Sequence, residues 1–354
     1  MRIFFLLILV SIGYINSVFS QANDESNITK SVEIYINQNG FSGTILVAKK
    51  GEPIFHKSFG LAYYSTPDTI RNNYHYSIAS ITKLFTSIRI LQLVDKGKLS
   101  LNKPVVNYLA TFKTQIPEQV TIHDLLLHTS GLPEEKDKLY RHRYMPQDMV
   151  KEVLSYQSKS RLGQFNYNNL DYILLGLIIE NITGQTWKKE IQEAILTPLK
   201  MNETGFLEYG YYPRNFAYTY SKKWNGLKQD PLFYIENFYS AGSMFSTTLD
   251  LLKLDQALYS NKLLTDEGKE LLAKFYPENN YAGYGVWNYD YPYAKGNPTI
   301  MERRGKILGA NVVLVRLTDE NYTIIILSND DRFNPDSFGD EENLREILIR
   351  KIYE

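Results

Sequence analysis

An α+β fold is what this sequence predicts: an antiparallel sheet assembled from the two ends of the chain, flanked by helices, with an all-helical subdomain between them. Three observations carry the prediction. Short apolar, β-branched runs separated by turn residues occur near residues 41–62 and again from 281 to 327. Between them, apolar residues recur at helical spacing. No repeat, low-complexity tract or long linker interrupts the 354 residues, so one structural unit is expected, with a cleft between its halves.

The chain opens with Met1-Arg2, an apolar run from Ile3 to Val10 that weakens toward Ile15, then Ser17-Val-Phe-Ser20 and a polar segment. This order predicts a signal peptide over residues 1–20, cut after Ser20, and a secreted or periplasmic mature domain over residues 21–354. An uncleaved anchor is the other reading, although the run is short for a spanning helix. No later segment is long and apolar enough to cross a membrane. The chain has no cysteine, which excludes disulfides, a thiol nucleophile and cysteine-ligated zinc. With 39 basic and 39 acidic residues the formal net charge is zero, so a nucleic-acid partner is disfavoured. The 28 tyrosines fit either β-rich structure or a sugar- or peptide-binding cleft.

Residues 27–39 read as a helix, Phe41 to Ala48 as a strand, Lys49-Lys-Gly-Glu-Pro as a turn and Ile54 to Ala62 as the returning strand. Apolar positions from Ile81 to Leu93 predict a helix from Ser80 that ends at Lys96-Gly97. Further helices are expected over Thr121 to Leu127, stopping at His128, then 146–156, 169–182 and Thr186 to Ile195. Another runs from Thr247 to Leu258, with Asp250 at the third helical position. Strands return at Tyr281 to Trp287, Thr299 to Arg303, Ala310 to Leu317 and Tyr322 to Leu327, with turns at Gly305 and Asp319-Glu-Asn, and a helix over Glu341 to Ile352 closes the chain. The α/β part thus covers about 27–80 and 281–354, and the helical part about 81–280.

Three short patterns bear on chemistry. Ser80 and Lys83, in Ser-Ile-Thr-Lys, lie on one face of a helix start. A serine needs a base to become a nucleophile, and a lysine serves only if burial or nearby cations lower its pKa. Alone the pattern reads better as a helix cap followed by a surface lysine, and Ser100-Leu-Asn-Lys103 repeats it in a loop. Tyr167 and Asn169, in Phe165-Asn-Tyr-Asn-Asn169, precede an apolar helix. A phenol can relay a proton and a carboxamide can donate to a carbonyl, or Asn169 is simply the cap. Third, Glu302-Arg-Arg-Gly-Lys-Ile-Leu-Gly309 places cations and a glycine at a strand, either an ordinary basic edge or a place where substrate backbone approaches. His123 and His128 have no companions at metal-ligand spacing, so no metal or cofactor is expected. His128 is expected to anchor a turn by hydrogen bonding. No Gly-x-Ser-x-Gly elbow is present.

Taken in this order, the three patterns resemble those of the serine β-lactamase, DD-peptidase and esterase superfamily, the penicillin-recognising serine hydrolases, and most nearly its class C-like branch. The likeness covers nearly the whole mature chain. It rests also on Ser42-Gly-Thr-Ile-Leu-Val-Ala48, Tyr76 to Lys83, His128-Thr-Ser-Gly-Leu-Pro133, Leu174 to Glu180, Met201 to Phe206 and Tyr239 to Leu252. The resemblance implies a β-lactamase/transpeptidase-like α/β sandwich in which Ser80 is acylated, with Lys83 and Tyr167 moving its proton. Asn169, Arg303, Arg304, Gly305 and Lys306 would bind substrate, the backbone N–H groups of Ser80 and Lys306 holding the oxyanion. The family usually has Lys or His, any residue, then Gly in its third motif. Here that motif is Arg303-Arg304-Gly305, which keeps a cation but cannot relay a proton. Substrates implied are small molecules or peptides, including cell-wall D-amino-acid peptides, esters and β-lactams. A silent protein that captures cell-wall fragments on the same fold is the alternative, motivated by the arginine.

Overall fold

The computed structural model describes residues 25–354. The expected signal peptide over residues 1–20 lies outside the described residues. Six strands form the main sheet: β1 (Gly43–Lys49), β2 (Glu52–Phe59), β3 (Trp287–Asp290), β4 (Thr299–Ile307), β5 (Ala310–Leu317) and β6 (Tyr322–Ser328). Their spatial order is β3-β4-β5-β6-β1-β2, and every neighbouring pair is antiparallel. The two ends of the chain therefore meet at β1 and β6, paired in register from Gly43↔Ser328 to Lys49↔Tyr322.

The central strands are apolar at nearly every position because both faces of the sheet are covered. Ile45, Val47, Val313, Val315, Ile324 and Ile326 face a core completed by Ile28 and Val32 of helix α1 (residues 25–39) and by Leu344 and Leu348 of the last helix. Leu46, Val312, Leu314, Ile325 and Leu327 face the opposite core, shared with the middle of the chain. The remaining helices, in order, are α2 (Thr82–Asp95), α3 (Ile122–Leu127), α4 (Pro146–Leu154), α5 (Asn169–Thr183), α6 (Trp187–Ile191), α7 (Thr248–Ala257), α8 (Asp266–Ala273) and α9 (Leu344–Tyr353). In α2 almost every side chain is buried, and in α5 every one from Leu170 to Ile179, as in helices hydrophobic all round that form the centre of a subdomain. Thr121 closes a capping box with Asp124, and Thr247 caps α7 by accepting from the Asp250 N–H.

Several elements depart from the sequence expectation. Tyr281 to Trp287 is not a strand. Gly285 has φ +78 and the Gly283 N–H closes a turn onto Val286, so β3 starts at Trp287. No turn forms at Gly305: β4 continues through it to Ile307, paired with Val312, and turns at Leu308-Gly309. The return strand from Ile54 breaks at Gly60, and residues 192–196 wind into a π turn after α6. Asn168, not Asn169, caps α5 through its side-chain oxygen. The middle of the chain also holds a hairpin, Tyr220–Lys223 against Gly226–Gln229, and α8, neither of which the apolar spacing signalled.

Gly305 is fixed by packing. A Cβ there would lie 2.6 Å from the Ile78 carbonyl oxygen and 3.0 Å from the Ser80 nitrogen. Backbone cannot yield cheaply, so Gly305→Ala is expected to lower stability by about 1–3 kcal/mol. A denaturant titration showing no loss would contradict this account of why β4 lies so close to residue 80.

Candidate active site

Ser80 sits in a 3-10 turn, Ala79–Ile81, that leads directly into α2. It is placed there by Ala79, a non-glycine residue at φ +45, a conformation that costs on the order of 1–3 kcal/mol. The Ser80 side chain does not cap α2, whose start has no side-chain cap. Instead its Oγ lies 3.1 Å from Lys83 Nζ and 2.9 Å from the Tyr167 hydroxyl. Lys83 has no exposed surface, so the surface-lysine reading is excluded.

Three donors of the Lys83 ammonium meet three oxygens: Ser80 Oγ, Asn169 Oδ1 at 2.6 Å and the Ala241 carbonyl at 2.9 Å. Two of these oxygens belong to carbonyl groups and can only accept. They hold two N–H groups whichever protonation state Lys83 adopts. The third position, facing Ser80, is therefore an N–H when Lys83 is charged and a lone pair when it is neutral. Burial pulls the Lys83 pKa down to about 8, with Arg303 acting in the same direction and Tyr167 and Glu135 opposing it.

Tyr167 is 36% exposed through its ring, but its hydroxyl turns inward. Arg303 is buried. Its Nη2 donates to the Tyr167 oxygen at 2.6 Å and its Nε donates to the Ser80 carbonyl at 2.8 Å. Burial alone would raise the Tyr167 phenol pKa. The charges of Arg303 and Lys83 outweigh it and bring the phenol below its usual value. Because Arg303 already donates to it, the Tyr167 oxygen either gives its proton to Ser80 or, as phenolate, receives one. Trp287 holds this arrangement from outside: its ring lies 6.2 Å from that of Tyr167 at 18°, and the Arg303 guanidinium carbon is 4.8 Å from the Trp287 ring and 5.5 Å from that of Tyr167.

Other singled-out residues sit elsewhere. Arg304 points to the far side of β4, bonded to Glu302 and to Asp336, and meets the cluster only at its rim, where its guanidinium carbon lies 5.7 Å from the Trp287 ring. Glu302 is itself buried and paired with Arg345 of α9. Lys306 is exposed on β4. Strand β3 pairs β4 only from Thr299 to Glu302, so beyond residue 302 that edge of β4 has no strand neighbour among the described residues. His123 stays outside the cluster and bonds the Tyr284 hydroxyl at 2.6 Å. His128 ends α3 at φ +59, accepts from the Asn168 N–H and lies 3.1 Å from Asp171 Oδ2. It thereby fixes the start of α5, the helix that carries Asn169.

Burial lowers the His128 pKa and raises that of Asp171 well above the usual carboxyl range, so both shifts favour an uncharged pair with the proton on Asp171. Three site residues escaped the sequence reading. Glu135 accepts from the Asn169 amide and from the Tyr140 hydroxyl; Trp287 stacks as described; and the Ala241 carbonyl takes Lys83. A main-chain oxygen and a surface-loop acid leave no pattern in a sequence. Trp287, the last residue of the strand expected over Tyr281 to Trp287, was legible only as a strand residue.

A serine bonded to a buried lysine and to an inward-turned tyrosine on this layered α/β scaffold is the arrangement of a serine hydrolase of the penicillin-recognising type. The sequence model of the Beta-lactamase family matches residues 23–349, and the chain belongs to that family. It is similar to penicillin-binding protein 4* of Bacillus subtilis (strain 168), at 28% identity over 331 residues, 87% of this chain and 72% of that protein. A teichoic acid D-alanine hydrolase from Staphylococcus aureus (strain MRSA252) is 26% identical over 312 residues, covering 85% of this chain and 73% of the relative. The crystal structure of a penicillin binding protein from Bacillus halodurans superposes with a TM-score of 0.72 at 27% identity, over 84% of this chain and 94% of that one.

The protonation of Asp171 has a measurable consequence. A carboxyl whose pKa is raised by folding stabilises the fold below its unfolded value near 4, and that contribution is lost as pH rises through its folded value. His128, with its pKa lowered, acts oppositely, its contribution fading as pH falls below about 6.5. Above that pH Asp171 still contributes a falling slope, while Lys83, whose pKa burial lowers to about 8, adds a rising one that variant and wild type share. Asp171→Asn, which keeps a donor and an acceptor in place, is expected to remain within about 1 kcal/mol of wild type. It should also flatten the decline in stability between pH 6.5 and 8.5, as read by urea denaturation. A steeper decline in the variant would refute the neutral pair.

Proposed function

We propose that the protein is an exported hydrolase that forms an acyl-enzyme at Ser80 on D-amino-acid esters, amides or peptides of cell-wall type. The observation that carries this reading is the convergence of Lys83 and Tyr167 on one serine oxygen, each with its remaining hydrogen-bond capacity already committed to Asn169, Ala241 and Arg303. With Lys83 neutral or Tyr167 as phenolate, the Ser80 proton moves to that partner as Oγ attacks the carbonyl carbon. The oxyanion of the tetrahedral intermediate is received by the backbone N–H groups of Ser80 and Lys306, on the stretch of β4 that lacks a strand neighbour. The proton then passes to the leaving alcohol or amine, the acyl-enzyme remains, and water, activated by the same pair, releases the acid. Arg303 relays no proton. It supplies the charge that keeps the phenol acidic.

Two further features support the substrate class. Glu135, bonded to Asn169 and close enough to Lys83 to raise its pKa, offers a carboxylate that would suit an ammonium beside the scissile carbonyl, as in a D-alanyl ester. The similarity to a teichoic acid D-alanine hydrolase points to the same chemistry. Export rests on the order of charged, apolar and small residues at the N-terminus. Among the described residues no helix is long and apolar enough to cross a membrane.

Mapping the site of modification by a fluorophosphonate or a fluorescent penicillin tests the central claim. Label is expected on Ser80 and absent from Ser80→Ala. A folded protein that hydrolyses activated esters equally well after that substitution would sink it. The acid limb of kcat/KM should rise with pH toward about 8, since the unprotonated Lys83 is the base. Lys83→Met should remove that limb with a loss of roughly 10²–10⁴-fold. Arg303→Lys keeps the charge but not the fork, and is expected to reduce kcat about tenfold or more while KM changes little. Glu135→Gln should raise KM about tenfold for a D-alanyl ester and leave the N-acetylated ester unaffected, which separates ammonium binding from Asn169 positioning.

A further inference from the structure

The hairpin Tyr220–Lys223/Gly226–Gln229 carries a side chain that the fold does not use. Its two-residue turn is Trp224-Asn225, followed by Gly226 at φ +104, and Trp224 is 96% exposed. The other two tryptophans are placed differently: Trp187 is fully buried and Trp287 is half-buried against Arg303. Around the exposed indole, Lys222, Lys223 and Lys228 all reach solvent. The register Ser221↔Lys228 and Lys222↔Leu227 puts Lys223 and Lys228 on one face of the ribbon and Lys222 on the other, so cations flank the tip on both sides. The acids nearby are at the root and along the Lys222 face, where Asp331, Asp340 and Glu342 line one cleft with Lys222, Gly226 and Leu227. Asp331 accepts from the Lys222 N–H, and Asp230 accepts from Ser221 Oγ and from the Gly309 N–H.

That root rests on the β4–β5 turn. A Cβ on Gly309 would lie 2.3 Å from the Tyr220 carbonyl oxygen, and the Tyr220 N–H donates to the Asn329 carbonyl at 2.9 Å. The hairpin thus projects from the end of the strand that carries Arg303 and Gly305. Beside the root, Leu308 is 43% exposed and Leu232 is 55% exposed. An indole with a ring of lysines suits the headgroup layer of an anionic bilayer, where the ring finds both apolar contact and a polar partner for its N–H. A soluble polyanion would satisfy the lysines and leave the indole in water.

We propose that this hairpin docks the enzyme on anionic phospholipid membranes, tip first, with Trp224 in the headgroup layer and the lysines against lipid phosphates. The inference is independent of the chemistry at Ser80. The test is sedimentation of the mature chain with vesicles of phosphatidylglycerol and phosphatidylcholine, compared with phosphatidylcholine alone. Binding to the anionic vesicles is expected to be at least about tenfold tighter and to weaken with salt. Brominated lipids should quench the wild-type fluorescence through Trp224. Trp224→Ala is expected to lose that quenching and to bind about tenfold more weakly, and Lys222→Glu/Lys223→Glu to bind more weakly still. Both variants should hydrolyse a soluble ester like wild type, which shows them folded. Vesicle binding unchanged in Trp224→Ala, no quenching in wild type, or equal retention on soluble polyphosphate without any dependence on Trp224 would each overturn the proposal.

Discussion

A lysine with no contact with solvent is the constraint on which the rest of the site depends. An ammonium removed from water is strongly disfavoured unless its donors are all taken, and Lys83 is accommodated only because Ser80, Asn169 and the Ala241 carbonyl surround it. Each of those partners has to be brought from a different part of the chain. Asn169 opens α5, whose start is set by the Asn168 cap and by His128. The Ala241 carbonyl is presented by residues 235–241, a segment held by Thr86 Oγ1 donating to the Ser240 carbonyl and Ser240 Oγ donating to the Tyr172 carbonyl. Gly176 lets that segment approach α5, since a Cβ there would lie 2.2 Å from Ser240 Oγ. Strained backbone occurs at Ala79 (φ 45) and at Tyr239 (φ 42, ψ −126), on the two sides of the lysine. Strain of this kind persists where surrounding structure over-determines it, and here the surroundings are two nearly fully buried helices.

The arginine in the third motif follows from the same economy of donors. A lysine at position 303 would offer a point charge. The guanidinium instead bridges the Ser80 carbonyl and the Tyr167 oxygen with two separate N–H groups, and its flat face lies against Trp287. A permanent cation is thereby fixed between the turn that carries Ser80 and the Tyr167 phenol. It lowers the affinity of both Lys83 and Tyr167 for protons. The adjacent Arg304 shows how strongly strand alternation separates neighbours. One residue along, it lies on the other face of β4 and joins the buried Glu302–Arg345 network that ties the sheet to α9.

Much of this was legible in the residues themselves. The caps at Thr121 and Thr247, the stop at Lys96-Gly97, and the meeting of N- and C-terminal strands all follow from local rules of capping and turn chemistry, together with the need of two-sided apolar strands for cover on both faces. Misreadings arose where packing overrode such rules. Gly305 was taken for a turn because glycines usually mark turns. Here the glycine is needed inside a strand so that residues 78–80 can lie against it. Tyr281 to Trp287 has a strand's composition but contains two glycines that fold it back, and Asn169 yielded the cap to Asn168 because its own amide is claimed by Lys83 and Glu135.

The sequence by itself determined which elements form and which residue types are available for chemistry, since periodicity, caps and turns act over a few positions along the chain. Tertiary structure alone decided that Ser80 is bonded to Lys83 and Tyr167 and caps nothing, that Lys83 is buried, that Arg303 and not Arg304 faces the serine, and that Glu135, Trp287 and the Ala241 carbonyl complete the cluster. These are contacts between residues separated by as many as 223 positions. Burial, which sets the protonation of Lys83, is a property of how the layers close over one another, and no local stretch of residues encodes it.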